Sequence, residues 1–482
     1  MRWSPLRNLD KQIVRKGESA KIILENRGGV GIIGLQEFVQ VLVLRKKIVY
    51  PLFFLFFWIA VFPLFAEEEQ GKDRESDGKP LLHLGQWEFD AGGQVLLRGD
   101  FTWNQNLTDF RFTPGLQESQ FLERTRLQVS VENRALNLEG FVQGQWYGRW
   151  GGTVQRSAFD LYQGYIKWEN ILGVPASLKA GRQEFLYGSA YFIGTNDFYN
   201  GLVWDGAKGS VKPFESLNID LLGSKMVKLN PGDPDVYLAG LYTTYKIYTE
   251  GSLEGYLFYN KGGFPLSHRE FVLTDSNQKW FTLGGRFAGK VAGLDYELEP
   301  LFQWGTVKTT IGDGRDPVRT YGGHINLGYT FKLPWEPRVF GTYAYGSGDS
   351  TPFDGKYTEF HNIFNDDDEL YGRMKVIPDQ SGVTVNEIHA SGLQIWVAGL
   401  SINPLSKLNL SLQANYFLAN KVPSGFSKYV GTEVDLAISY QLRKGISFIL
   451  GLSKFYTGSF FEEASGSNKN MEYIYIQAEV EF

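Results

Sequence analysis

The stretch Leu408-Asn409-Leu410-Ser411-Leu412-Gln413-Ala414-Asn415-Tyr416 puts every apolar side chain at an even position and every polar one at an odd position. Thr432 to Leu442 repeats the pattern, with Val434, Leu436, Ile438 and Tyr440 on one face and Glu433, Asp435, Ala437, Ser439 and Gln441 on the other. Successive side chains of a strand point to opposite faces, so a period of two marks a sheet whose sides meet different surroundings. In water the apolar side would cover a core. In an outer membrane it faces lipid, and the polar side faces a lumen.

Working outward, the same alternation recurs from about residue 90 to the C-terminus. It gives eighteen segments, near 94–104, 121–133, 135–148, 159–169, 175–188, 201–213, 216–227, 236–249, 252–262, 279–290, 292–308, 319–333, 336–347, 390–402, 406–419, 431–442, 444–456 and 471–482. Their connections alternate strictly. Asn133–Ala135, Ile171–Val174, Glu250–Gly251, Asn403–Leu405 and Arg443–Lys444 are short, whereas Asn106–Gln120, Gly263–Gln278, Ser347–Ser391 and Thr457–Asn470 are long. Outer-membrane barrels have short periplasmic turns and longer outer loops, and a soluble sandwich has no reason to follow that rhythm. The final strand sets Ile474, Ile476, Ala478, Val480 and Phe482 on one face, and its terminal phenylalanine resembles the signal read by bacterial barrel-assembly machinery. Hydrocarbon offers no partner to an open strand edge. The expected fold is therefore all-β: a closed transmembrane antiparallel β-barrel of about 18 strands over residues 91–482, in the cell outer membrane. Trp146, Tyr147, Tyr187, Trp304, Tyr329, Phe331, Trp335, Tyr345, Tyr416, Phe417, Tyr440 and Tyr456 lie near predicted strand ends. Interfacial girdles place aromatic rings there, although aromatic residues favour any strand.

The composition fits this reading: 56 glycines, 15% aromatic residues and no cysteine in 482 residues. Without cysteine there is no disulfide scaffold, no cysteine-ligated metal and no lipid-modified N-terminal cysteine. Arg45, Lys46 and Lys47 precede an apolar run from Ile48 to Phe65, then Ala66 and Glu67-Glu68-Glu69. That is the layout of a secretory signal peptide over residues 45–66, cleaved after Ala66. Pro51, Pro63 and the lack of a basic flank after the run oppose the rival reading of a spanning helix, while Leu64 departs from the small residue expected at minus three. Residues 1–44 read as an upstream extension or a start assigned too early, with the natural product beginning near Val43. Residues 67–90 read as a charged periplasmic lead-in. Without residues 1–66 the chain carries 38 Lys/Arg against 49 Asp/Glu, and nothing in that balance favours nucleic acid. His83, His268, His324, His361 and His389 show no metal-ligand spacing, and no Gly-x-Ser-x-Gly elbow or phosphate-cradling loop appears. The residues point to no enzyme, no cofactor and no metal.

Several short stretches resemble the alginate-export family of outer-membrane porins. They are Leu178-Lys179-Ala180-Gly181-Arg182-Gln183-Glu184, Tyr187-Gly188, Trp204-Asp205-Gly206-Ala207-Lys208, Leu327-Gly328-Tyr329-Thr330, Pro337-Arg338-Val339 and Tyr345-Gly346-Ser347-Gly348-Asp349-Ser350. Gly431-Thr432-Glu433-Val434-Asp435-Leu436 and Gly451-Leu452-Ser453-Lys454-Phe455-Tyr456-Thr457-Gly458 continue the series, which spans about residues 95–482. The resemblance implies a single eighteen-stranded barrel and passive passage of an acidic polysaccharide through a narrow, basic lumen.

A polyanion channel needs guanidinium or ammonium groups at its constriction, because a low-dielectric wall repels charge. With polar faces turned inward, the basic candidates are Arg98, Arg124, Arg126, Lys167, Lys179, Lys208, Lys246, Arg286 and Arg338. Arg182 and Asp205 are out of phase with their strands, as a bulge or a boundary wrong by one residue would make them. Their place in the family-like Gly-Arg-Gln and Asp-Gly motifs sets the expectation that both face the pore. The same rule turns acids inward, among them Asp100, Glu139, Asp220, Glu254, Glu297 and Glu433, so the inferred lumen is mixed and many charges simply pair. The loop 348–389 is long enough to fold over or into the pore as a gate, or to stay mobile outside. Its acidic run Asn365-Asp366-Asp367-Asp368-Glu369 reads as a solvated tip, since it lacks the spacing of an EF-hand Ca²⁺ loop. The resulting expectation is a channel for an anionic polysaccharide or small anion, embedded in outer-membrane lipid and working with periplasmic export partners. The alternative from another class is a surface adhesin or receptor that uses its outer loops on a barrel scaffold.

Overall fold

The computed structural model describes residues 81–482 apart from 109, 153–155, 196–200, 229–233, 263–277, 308–314, 352–353, 363, 365–370 and 378–379. The expected upstream extension, the signal peptide, most of the lead-in and the acidic run 365–369 lie outside the described residues.

Alternating sequence becomes strand throughout. In order these are β1 (Leu82–Leu84), β2 (Trp87–Gln105), β3 (Phe112–Asn133), β4 (Leu138–Trp150), β5 (Arg156–Trp168), β6 (Ala176–Gln183) and β7 (Trp204–Phe214). Then follow β8 (Leu217–Met226), β9 (Tyr237–Tyr248), β10 (Gly251–Lys261), β11 (Lys279–Val291), β12 (Leu294–Val307), β13 (Asp316–Thr330) and β14 (Arg338–Gly346). The last are β15 (Gly382–Val385), β16 (Ile388–Leu405), β17 (Leu408–Lys421), β18 (Tyr429–Arg443), β19 (Ile446–Thr457) and β20 (Met471–Glu481), with a short helix α1 (Ser459–Ser465) before β20. β1 folds back on β2 and β15 on β16 as short hairpins. The other eighteen strands pair antiparallel with their neighbours, β14 passing directly to β16. β20 returns to β2 from Gln94↔Glu481 to Trp103↔Glu472, and the sheet is closed. No main-chain edge is left for hydrocarbon to strand.

The seam depends on glycine. Gly93 N–H donates to the Phe482 carbonyl at 2.8 Å and Phe482 N–H donates back at 3.0 Å. A Cβ on Gly93 would sit 2.7 Å from the Phe482 ring and 2.8 Å from the Arg126 carbonyl, so a side chain there forces the last turn of the ladder apart.

The faces divide as the alternation predicts. Leu127, Val129, Val142, Leu257, Leu283, Phe302 and Leu412 are exposed on the outside, while Asp100, Gln143, Gln145, Gln303 and Asn415 are buried inside. Such an inside-out distribution suits lipid outside and a polar lumen within. Of the expected interfacial aromatics, Trp146, Tyr329, Phe331, Trp335 and Tyr416 are exposed, whereas Phe417 is buried and Tyr187 stacks inside on Tyr242.

Three features depart from the sequence reading. The connections do not alternate strictly in length: 151–155 at the long-loop end is shorter than 331–337 at the short-turn end. β2 and β3 run for 19 and 22 residues, about twice what crosses a bilayer, so most of the apparent loop Asn106–Gln120 is strand standing clear of the membrane. The segment 175–188 ends as a strand at Gln183, because the chain then leaves the wall and enters the lumen, with Phe185, Tyr191, Phe192 and Ile193 buried.

Candidate functional site: the lumen

Inward-facing polar residues from neighbouring strands form a lining of charges held in pairs. Arg98 is buried, donates to Asp100 at 2.8 Å, to Gln477 at 3.0 Å and to the Tyr473 hydroxyl at 2.5 Å, and stacks 3.7 Å over the Tyr475 ring. Arg124 donates to the Gln94 amide oxygen at 2.8 Å and Arg126 to that of Gln145 at 2.6 Å. A bulge where β5 faces Gln143 and Gly144 turns Tyr162 inward, and the Arg126 guanidinium lies 3.8 Å over its ring.

On the opposite arc, Arg286 reaches three carboxylates: Glu254 at 2.7 Å, Glu297 at 3.0 Å and Glu299 at 3.8 Å. Arg338 forks onto Asp295 at 2.6 and 3.1 Å, passing across Gly328 on the strand between them. A Cβ on Gly328 would collide with both partners. Lys246, Arg286, Glu297 and Arg338 line a cavity of about 650 Å³ at the short-turn end, between β9 and β14.

Register brings together three lysines that are 12 and 29 positions apart in sequence. Lys167 of β5 stands directly across from Lys179 of β6, and Lys179 directly across from Lys208 of β7. Lys167 pairs with Glu169 at 2.7 Å and Glu139 at 3.8 Å, and Lys208 with Asp220 at 3.7 Å. The Lys179 ammonium lies 3.7 Å over the Tyr165 ring and, among the described residues, has no carboxylate within 4.0 Å. No linear signal pointed to this row, because register between strands is set by turn geometry and closure.

Arg182 and Asp205 require a correction. β6 and β7 pair without a shift from Ala176↔Val211 to Gln183↔Trp204, so no bulge reverses their phase. Gln183 and Trp204 are the fully buried, inward residues, while Arg182 and Asp205 share the outward face with exposed Leu178 and Val211. The two form a forked pair at 2.8 and 3.0 Å on the outside wall.

The long loop after β14 folds into the lumen. Phe360, Phe364, Tyr371 and Met374 are buried. Gln105 donates to the Met374 carbonyl at 2.7 Å, Met374 N–H donates to Glu433 at 2.8 Å, and Arg373 donates to the Tyr475 hydroxyl at 2.6 Å. The loop after β6 enters from the other side. Ser189 donates to Glu297 at 2.5 Å, Tyr191 packs on the His324 ring at 4.1 Å, and Ile193 bridges to Phe364. Gln380 joins the two loops through the Tyr191 and Tyr371 hydroxyls, each at 3.0 Å. Together they narrow the lumen. His324 faces inward, bound to Glu297 at 2.7 Å and Tyr371 at 3.1 Å. Glu297, Glu299 and His324 could group as metal ligands, but Arg286 already supplies their positive charge and a cation there would meet a guanidinium.

The fold is similar to solved porins. A BenF-like porin from Pseudomonas fluorescens Pf-5 superposes with a TM-score of 0.54 at 12% identity, covering 82% of this chain and 98% of that one. OccK5 (OpdH) of Pseudomonas aeruginosa gives 0.53 at 10% identity, and OccK2 (OpdF) of the same organism, in complex with glucuronate, gives 0.52 at 10%, both covering 82% and 98%. At such identities the likeness shows the fold alone. No curated protein sequence matches the chain. The model of the alginate-export family matches residues 90–474, most of the chain, and with a closed eighteen-stranded barrel whose charged lumen is narrowed by inward loops, this protein is a member of the alginate-export family and an outer-membrane channel.

Proposed function

We propose that this channel passes acidic saccharides, either an alginate-like polyuronate or small uronates, by diffusion with a preference for anions. The observation that carries this is the row Lys167–Lys179–Lys208. Like charges placed directly across from one another destabilise a sheet; carboxylates offset Lys167 and Lys208, whereas Lys179, between them, has only the Tyr165 ring among the described residues. Ammonium groups are what a chain of carboxylates needs at a narrow, low-dielectric passage. Strands lie about 4.8 Å apart, so the row offers a cation at intervals close to the length of one sugar ring. Arg124 and Arg126 add a second basic step on β3, eight and six residues above Glu132, where the ladder carries the level of the row. OccK2, a porin of similar fold, was solved with glucuronate bound, which supports a uronate as the ligand class here. The inward loops favour a channel over a surface receptor, since much of the longest loop is spent on the lumen instead of standing outside.

The test is single-channel recording in planar bilayers. Reversal potentials should show anion preference, and added polyuronate should block the current. Lys179→Gln, and separately Arg124→Ala with Arg126→Ala, should each weaken both effects. Cation preference in the native channel, or unchanged selectivity in both variants, removes the assignment.

A further inference from the structure

At the long-loop rim, the outward face of the barrel is aromatic from β10 to β18. Tyr259 stacks on Phe281 at 4.8 Å, Phe281 on Trp304 at 5.4 Å and Tyr321 on Tyr345 at 5.7 Å. Tyr343 meets Trp396 at 4.3 Å and Tyr416 meets Tyr429 at 5.2 Å. Rings with an apolar body and a polar tip belong at that boundary.

On β6 to β8 the belt is interrupted. Arg182, Asp205 and Lys225 stand across from one another in one lateral row, which ends on the exposed ring of Tyr237. Lys225 and Lys228 converge on Asp235 at 2.9 and 2.8 Å, and their ammonium groups, Lys228 first, hold that loop carboxyl well below its ordinary range. Two outward positions below the row, past Ala180, Ala207 and Gly223, Leu178 and Leu221 face lipid. The charges therefore mark the top of the hydrocarbon band, where a lipid-facing charge costs roughly 0–1 kcal/mol, against about 2–4 kcal/mol for a cation at the midplane.

We propose that this break in the belt is a docking site for the phosphorylated headgroup of an outer-leaflet glycolipid. Among the described residues, Arg182, Lys225 and Lys228 meet two carboxylates, Asp205 and Asp235, which leaves a positive excess at the membrane side of the patch. An ammonium group has three donors. Lys225 and Lys228 each direct one at Asp235, which leaves donors for phosphate oxygens from both lysines. Charge-assisted hydrogen bonds of this kind are the strong ones, and Asp205 and Asp235 hold the cations in place before the lipid arrives. Leu178, Leu221 and Val211 below supply an apolar wall for acyl chains. This site is on the outside of the barrel and does not rest on the solute proposed for the lumen.

Native mass spectrometry of the full barrel released from detergent micelles tests it, with a bis-phosphorylated outer-membrane glycolipid as the probe. The native barrel should keep one glycolipid at an activation energy that strips phosphatidylethanolamine. Arg182→Gln with Lys225→Gln and Lys228→Gln should lower the retained fraction by about tenfold or more, and enzymatic removal of the lipid phosphates should do the same to the native barrel. Unchanged conductance and an unchanged folded band on unheated gels show that the variant is intact. If the triple variant does not fold, Lys228→Gln alone, beyond the end of β8, must still weaken retention. Equal retention of phosphorylated and dephosphorylated lipid, or equal retention by native and variant barrels, overturns the site.

Discussion

Arg338–Asp295 and Arg182–Asp205 are the same interaction on opposite sides of one wall. Each is a forked guanidinium–carboxylate pair with contacts between 2.6 and 3.1 Å. The inner pair reaches across a glycine on the strand between its partners, and its two side chains are about one-third exposed. The outer pair joins directly adjacent strands and leaves Asp205 52% exposed. Residue type and geometry therefore do not decide which charge a passing solute meets. Parity along the strand does, and parity is settled by the strand's register with its neighbours.

The inner wall is sharpest at Arg286, where one guanidinium serves Glu254, Glu297 and Glu299. Arg286→Gln should be the most damaging single change, because it leaves three clustered carboxylates without their cation. A loss of about 3–5 kcal/mol is expected, measured as a lowered urea midpoint for unfolding in detergent. Adding Glu299→Gln should restore part of it by removing one charge from the crowd. A loss no larger than that from an exposed pair would mean that lumen water solvates these acids freely, and the contrast between the two walls would collapse.

Much of the barrel was legible in the sequence because period-two alternation is local. Leu408–Tyr416 and Thr432–Leu442 show their faces without help from any neighbour, and the eighteen expected segments all become wall strands. Arg98, Arg124 and Arg126 are buried on the polar face. At Arg182 and Asp205 motif resemblance and parity point opposite ways, and the unshifted register follows parity. Leu178 and Val211, exposed on the same face, carried the correct answer in the sequence. The lysine row was not legible at all: each lysine could be placed on a face, but not beside the others, before the ladder was known. The same limit hid the inward loops. Tyr191, Tyr371 and Gln380 meet inside the lumen although 189 positions separate the first from the last, and nothing in either loop announces the other.

A smaller effect is expected at the glycine beneath the inner pair. Gly328→Ala places a methyl group between Arg338 and Asp295, and both side chains are flexible enough to part rather than force the strands open. Stability should fall by about 1 kcal/mol, the worth of one partly solvated pair. Anion selectivity should shift measurably, since the two charges would no longer cancel at close range. A crystal structure of the variant with the fork intact would show that the glycine serves packing alone.

The smallest effect belongs to the outer pair, and its absence from one measurement is the point. Arg182→Gln with Asp205→Asn removes two opposite charges that already offset each other on a half-exposed surface, so stability should change by less than about 1 kcal/mol. Conductance, reversal potential and polyuronate block should stay at native values, because a sheet one residue thick separates the pair from the solute path. Arg338→Gln with Asp295→Asn, the matching inner change, should move the reversal potential while costing about as little stability. If the outer double variant altered selectivity as much as the inner one, Arg182 would have to reach the lumen after all, and the unshifted pairing of β6 with β7 would be wrong.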